Sequence, residues 1–319
     1  MSIIRLDLAA LQAANQITPE EAARLSALAL PDRRGSLAVN LLLIFGAIAV
    51  SVAAIALVPN AATGLLLALG ALAAAEGLRR LTGESFALLA TGLALMGTLG
   101  LAGWVGWEFR EAHPTQPALL ITFLLAAGAI WYRSAFLAAL GVIALGAVFG
   151  SGTGYWHASY ALFVEEPTLT IAVFGLLAAG LYRLRGLVAE SWSSLATVAA
   201  RTSLILVHFA FWVGSLWGDV LGGARWSYED AAQPGFGLPA WFFAIGWAAL
   251  SLTLALATRR GSFLSISAIV FLAIHGYTQY FETFGAEPLS LLIAGLVLVA
   301  LAIGAARLLR GRGRPSSAG

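Results

Sequence analysis

Cysteine is absent from the 319 residues, and so is lysine. Without cysteine there is no disulfide framework, thiolate nucleophile, iron–sulfur site or thiolate zinc site. All 18 basic residues are arginine, which beside so much alanine and glycine reads as the codon usage of a GC-rich bacterial genome. Charge is scarce as well: 11% of residues are charged and 60% hydrophobic, with a mean hydropathy of +0.88. A soluble domain needs about 25% charged residues to cover its surface, so a soluble globular protein is excluded. What fills the chain instead is apolar runs long enough to span a bilayer, recurring to its end.

A membrane helix needs about 20 apolar residues. Reading from one helix breaker to the next gives ten candidate spans: 37–58, 61–78, 86–107, 117–132, 135–150, 167–182, 202–217, 238–257, 263–281 and 288–307. Four of these, at 117–132, 135–150, 167–182 and 202–217, are short and must extend into their flanks or sit in a thinned bilayer. With the N-terminus in the cytosol, sixteen arginines and seven carboxylates fall inside, against two arginines (Arg110 and Arg225) and nine carboxylates outside. The positive-inside rule therefore puts both termini in the cytosol. The first thirty residues are polar and amphipathic, so no cleavable signal peptide is expected and the first span acts as its own insertion signal. A bacterial inner membrane follows. The pI near 9.2 does not indicate nucleic acid: Arg307, Arg310, Arg312 and Arg314 follow the last span directly and lack companion aromatics, which suits an anchor beside anionic headgroups.

Three segments result: a cytosolic amphipathic helical hairpin over 1–35, a ten-helix transmembrane domain over 36–308, and a basic cytosolic tail over 309–319, expected to be disordered. In the hairpin, Ile4, Leu8 and Leu11 form one apolar helical stripe. Asn15 and Gln16 break it, and Thr18-Pro19-Glu20-Glu21 starts a second helix: Thr18 as N-cap, Pro19 at its first position, Glu21 closing a capping box. A Leu-rich helix, a turn, Ile17-Thr18-Pro19-Glu20-Glu21-Ala22 and then a glycine-bearing first span resembles the bacterial membrane family catalogued as domain of unknown function 2157. The likeness covers roughly residues 8–60, with Asn15-Gln16 where the family usually has glycine. The resemblance implies a multi-span fold and brings no activity, substrate or catalytic residue.

Local repeats suggest a hairpin used several times. Arg133-Ser134-Ala135-Phe136-Leu137 parallels Arg260-Gly261-Ser262-Phe263-Leu264, and Glu166-Pro167 and Glu287-Pro288 open the returning helices. Duplication and shared topology rules explain this equally well. The third span carries Gly97, Gly100, Gly103 and Gly106, which suits close helix packing or, alternatively, a flexible helix. Gly146 and Gly150 form a GxxxG. Glu76, with Arg79 and Arg80 three and four residues on, reads as a local ion pair.

The most informative polar residues lie in the seventh and ninth spans. His275, Thr278, Gln279 and Glu282 make one helical stripe from mid-membrane to the outer face, and His208, Ser215 and Asp219 make another. Ionisable groups in hydrocarbon are costly and tend to face cavities or partners, and histidine suits proton relay or solute coordination; against this, a neutral imidazole can satisfy itself on a neighbouring helix. Aromatics such as Trp107, Trp156, Trp217 and Tyr280 read as an interfacial belt. The loops at 151–166 and 218–237 exceed a tight hairpin and could form a lid. His113 and His157 lack metal-ligand spacing, and Glu165-Glu166 are adjacent and point apart.

The expected fold is thus an all-α polytopic membrane helix bundle, without cofactor, metal site, catalytic residues or nucleic-acid partner. The leading functional expectation is binding or transport of a small polar or cationic solute through an outward-facing cavity lined by the two stripes. The alternatives are a scaffold acting through helix–helix oligomerisation, with the N-terminal hairpin as a docking place for a cytosolic partner, and an enzyme acting on lipid-linked substrates.

Overall fold

The computed structural model describes residues 8–14, 16–28, 34–81, 86–156, 159–221, 237–258, 262–285 and 287–310. Ile4, Glu84, His157, Arg225, Arg260 and the tail beyond Arg310 lie outside the described residues. Two helices open the chain, α1 (Leu8–Ala13) and α2 (Pro19–Leu28). Every apolar run then forms a helix: α3 (Arg34–Leu57), α4 (Ala61–Leu81), α5 (Ala87–Glu108), α6 (Thr115–Tyr132), α7 (Ala135–Val148), α8 (Pro167–Leu184), α9 (Glu190–Trp217), α10 (Ala240–Ala257), α11 (Phe263–Phe284) and α12 (Pro288–Arg310). Among the described residues, seven helices are long and apolar enough to cross a membrane, and shorter apolar stretches occupy Ala135–Val148, Ala240–Leu256 and Pro288–Val297. The protein is an all-α, multi-pass membrane helix bundle.

Two short antiparallel hairpins interrupt the helices where loops were expected. β1 (Ser151–Trp156) pairs with β2 (Ser159–Val164), and β3 (Asp219–Val220) with β4 (Gly237–Leu238). Gly150, Gly152 and Gly154 have a spacing that resembles a phosphate loop, but no strand precedes them in the sequence, and Gly152 and Gly154 are themselves strand residues.

The chain forms two compact units, Met1–Leu101 and Ala102–Gly319. In the first, the predicted capping box is present: Glu21 N–H donates to Thr18 Oγ1 (3.2 Å), and Thr18 N–H to Glu21 Oε2 (2.9 Å). Asn60 caps α4 by accepting from Thr63 N–H at 2.8 Å. At the other end of α4, Arg80 Nε reaches Glu76 Oε1 at 2.8 Å and Arg79 lies 3.5 Å from the second oxygen, the local ion pair expected from the spacing. Buried Asn40 of α3 accepts from Leu89 N–H in the first turn of α5 (2.9 Å). α4 turns Ala68, Ala71 and Ala75 inward. A methyl group on Gly97 would lie 2.6 Å from Leu72 Cγ and 2.8 Å from the Ala68 carbonyl oxygen, and one on Gly100 would lie 3.0 Å from Ala68 Cβ. These two glycines permit the close α4–α5 approach that substitutes for hydrophobic drive in lipid. Gly103 faces open space, so the glycine series is only partly a packing device.

In the second unit α9 is the central helix, packing on α7, α8, α10 and α11. Val142, Phe174, Ala199 and Val207 form its core with α7 and α8. Of the GxxxG pair, Gly146 is buried beside Leu206. Gly150 instead ends the helix, with φ +71°, a conformation open to glycine at little cost. At the α6–α7 turn Arg133 takes φ 51°, and Ser134 caps α7 through Leu137 N–H (3.3 Å). Ser262 caps α11 in the same way through Ser265 N–H (3.3 Å). The two serines are one position out of step in the apparent sequence repeat, so what the segments share is cap chemistry.

Gly97→Ala is expected to cost about 1–3 kcal/mol through overpacking. Gly103→Ala is expected to be neutral or stabilising by up to about 1 kcal/mol, because alanine favours helix. Thermal melts of the detergent-solubilised variants followed by circular dichroism check both.

Candidate functional site

α9, α10 and α11 pack against one another, with a few polar side chains set among aromatic rings. His208 of α9 and Trp247 of α10 are both wholly buried. The Trp247 indole N–H donates to His208 Nδ1 at 2.9 Å. An indole nitrogen can only donate, so Nδ1 is the acceptor and the imidazole carries its proton on Nε2. That Nε2 is buried and has no hydrogen-bond partner. The ring stacks on Phe271 of α11 with centroids 4.6 Å apart and planes within 7°. Phe271 in turn meets Phe209 edge to face at 5.5 Å, an arrangement favoured by the aromatic quadrupoles.

One turn further along α11 the second histidine enters. His275 lies 4.6 Å from the Trp247 ring, centroid to centroid. Its Nδ1 is 3.4 Å from Ser215 Oγ, whose hydroxyl donates to the Trp212 carbonyl at 2.8 Å. With that hydroxyl proton committed, the Ser215 oxygen is left to accept from His275. Thr278 completes the ladder: its hydroxyl donates to Ile274 O at 2.9 Å and accepts from the Trp212 indole N–H at 3.2 Å. Two indole N–H groups thus tie α9 to its neighbours. The four sequence-predicted residues His208, Ser215, His275 and Thr278 share one seam.

The other three predicted residues are placed differently. Gln279 is half-buried and Glu282 exposed, so the α11 stripe grades from the seam to the surface. Asp219 leaves the α9 face altogether. α9 ends at Trp217, and Gly218 takes φ 71° and ψ −157°; a methyl group there would lie 2.5 Å from the Leu238 carbonyl oxygen, so only glycine fits. The turn carries Asp219 to the start of α8, where it is buried and its Oδ2 accepts from Thr168 N–H at 2.8 Å. Its Oδ1 is also buried and makes no hydrogen bond. Pro167, at the first position of α8, has no N–H to satisfy. Asp219 is a cap supplied from a neighbouring element.

Trp212 and Trp247 were not among the residues singled out from sequence. A signal existed for Trp247, which falls near the middle of its span, far from the interfacial belts where tryptophan usually sits; there its N–H needs a protein acceptor. Among the described residues, no group of three His, Asp or Glu side chains could hold a metal ion.

Trp247→Phe is expected to cost about 1 kcal/mol, in the range of membrane interhelical hydrogen bonds, by stranding His208 Nδ1. His208→Leu in the same chain should remove part of that penalty, because both polar groups are then gone. A double-mutant cycle of thermal stability reads this coupling. Asp219→Ala should lose about 1 kcal/mol as a missing cap, and Asp219→Asn should recover most of it, measured by the same melts.

Compared with known protein families, curated proteins and solved structures, the chain matches none.

Proposed function

We propose that this chain is a solute-binding or transport protein of a bacterial inner membrane, with both termini cytosolic and all of α3–α12 crossing the bilayer. Its site is the seam between α9, α10 and α11, open toward the outer side. The observation that carries this reading is the sealed His208 imidazole with an unpartnered Nε2–H at the inner end of a polar ladder. From it the ladder runs through His275, Ser215 and Thr278 to half-buried Gln279 and exposed Glu282.

A buried donor without an acceptor costs about 1–3 kcal/mol, and a solute oxygen would remove that cost. The aromatic faces of Trp247 and Phe271 beside it suit the apolar body of such a solute or a cationic group. The resemblance of residues 8–60 to the family catalogued as domain of unknown function 2157 is compatible with a multi-span protein and adds no substrate.

A scaffold reading has one observation of its own. Gly70 and Gly77 of α4 and Gly175 and Gly180 of α8 have open space where a side chain would stand, and small residues on a lipid-facing surface permit close approach of another helix.

Since the chain has no cysteine, single cysteines at Ser215 and Gln279 report on the seam, with Ser159 and Ser262 as outer and inner controls. Intact cells are treated with a membrane-impermeant maleimide. The expected pattern is rapid labelling at 159 and 279, slower labelling at 215 where the side chain is 5% exposed, and silence at 262. Labelling at 159 with silence at both 215 and 279 would sink the solute reading and leave the scaffold in front. Labelling at 262 would overturn the orientation.

A further inference from the structure

An open groove of about 470 Å³ lies on the far side of α9 from the polar seam, between α6, α7, α8 and α9. Its walls include Ala126 and Ala129 of α6, Gly141 of α7, Leu184 of α8 and Trp192 of α9. The groove owes its depth to small residues on α6 and α7, which leave room where larger side chains would fill the interface. The lining hydroxyl of Thr122 is turned back on its own helix, donating to Ala118 O at 2.7 Å, so it offers nothing to an occupant. A volume of this size falls within the range of about 300–1,000 Å³ typical of ligand sites. Water has no reason to fill an apolar groove, whereas a bilayer presents it with hydrocarbon chains.

The dimensions agree with that occupant. From Thr122 to Ile130, the limits of the lining on α6, eight helical steps rise about 12 Å. The hydrocarbon depth of one leaflet is about 15 Å, half of a bilayer core of about 30 Å. The charge at the end of the groove also agrees. Arg133 follows α6 directly, is exposed, and holds its guanidinium carbon 5.3 Å from the centre of the Trp192 ring. Arg183 and Arg185 flank the lining residue Leu184 and are exposed. Among the described residues none of the three makes an ion pair with a carboxylate; the acid nearest to Arg183 and Arg185 along the chain, Glu190, sits exposed in the first turn of α9. Arg133 occupies a left-handed backbone position that glycine or asparagine would fill with less strain, so an arginine there calls for another reason.

We propose that this groove holds one acyl chain of an anionic phospholipid from the leaflet on the arginine side, with the lipid phosphate against Arg133. The guanidinium fork matches phosphate oxygens, and Trp192 forms both the end wall of the apolar channel and the platform for the cation. The site is separate from the α9–α11 seam, and it stands or falls independently of any solute there.

Native mass spectrometry of the full chain, titrated with phosphatidylglycerol or phosphatidylcholine, tests the assignment. One phosphatidylglycerol should be retained per chain, in preference to phosphatidylcholine. Arg133→Asn, which keeps a residue tolerant of the left-handed backbone, should weaken phosphatidylglycerol about fivefold, the change that corresponds to about 1 kcal/mol per basic residue at an anionic surface. It should leave phosphatidylcholine unchanged. Ala126→Phe, filling the groove from an exposed position, should lower retention of both lipids. Equal retention of the two lipids by the natural chain, or an Arg133→Asn variant indistinguishable from it, overturns the proposal. Unchanged retention in a folded Ala126→Phe variant overturns it too. If that variant does not elute as a folded protein, Arg133→Asn decides alone.

Discussion

The first N–H groups of a helix have no acceptor within the helix, and in hydrocarbon no water can replace one. Several helix starts of this chain answer that shortage with a side chain or a proline, while α6, α9 and α10 have no side-chain cap. Thr18 and Glu21 serve α2, Asn60 serves α4, and Ser134 and Ser262 serve α7 and α11 from the residue just before the helix. Pro19, Pro167 and Pro288 begin α2, α8 and α12, where a missing N–H removes the demand outright. For α5 and α8 the acceptor comes from elsewhere: Asn40 reaches Leu89, and Asp219 reaches Thr168. Those two bonds turn a local requirement into a tertiary one. Each ties together elements about fifty residues apart in the chain.

The same scarcity shapes the α9–α11 seam. Donors there are shared between helices, and both indole N–H groups find acceptors on a facing helix. Among the described residues seven buried side-chain atoms have no hydrogen-bond partner, His208 Nε2 and Asp219 Oδ1 among them. An unpaired group in a low-dielectric interior is costly, and the cost is greatest for an imidazole N–H or a carboxylate oxygen, where the other unpartnered atoms are hydroxyls.

Much of the architecture was legible in the sequence because lipid enforces a simple code: long apolar runs, breakers between them, caps at their starts. The ten runs all became helices. Lengths were harder to read. α9 begins at Glu190, twelve residues before the apolar run at Thr202, because its polar residues are tolerated inside the helix. Thr197, Thr202 and Ser203 each return their hydroxyl to a carbonyl four residues back, so a segment that looks like a loop by composition is helical. The two strand hairpins were hidden by glycine, which is disfavoured in strands. In the polar stripes, helical spacing grouped His208 with Ser215 and His275 with Thr278 correctly. It carried Asp219 along wrongly, since spacing assumes a continuing helix and Gly218 ends it. The tryptophan donors escaped notice because a membrane tryptophan is first read as an interfacial anchor.

The cap that Asp219 places on α8 also has a mechanical side. α8 and α9 are joined by the short turn at residues 185–189, and at the opposite end the Asp219 carboxylate pins the start of α8 to the chain leaving α9. A helix pair fastened at both ends behaves as a fixed wall. Any widening of the seam therefore falls to α10 and α11, whose hydrogen bonds to α9 run through the Trp212 and Trp247 indoles and the Ser215–His275 pair. The two tryptophans are thus the main polar ties that hold α10 and α11 to this fixed pair.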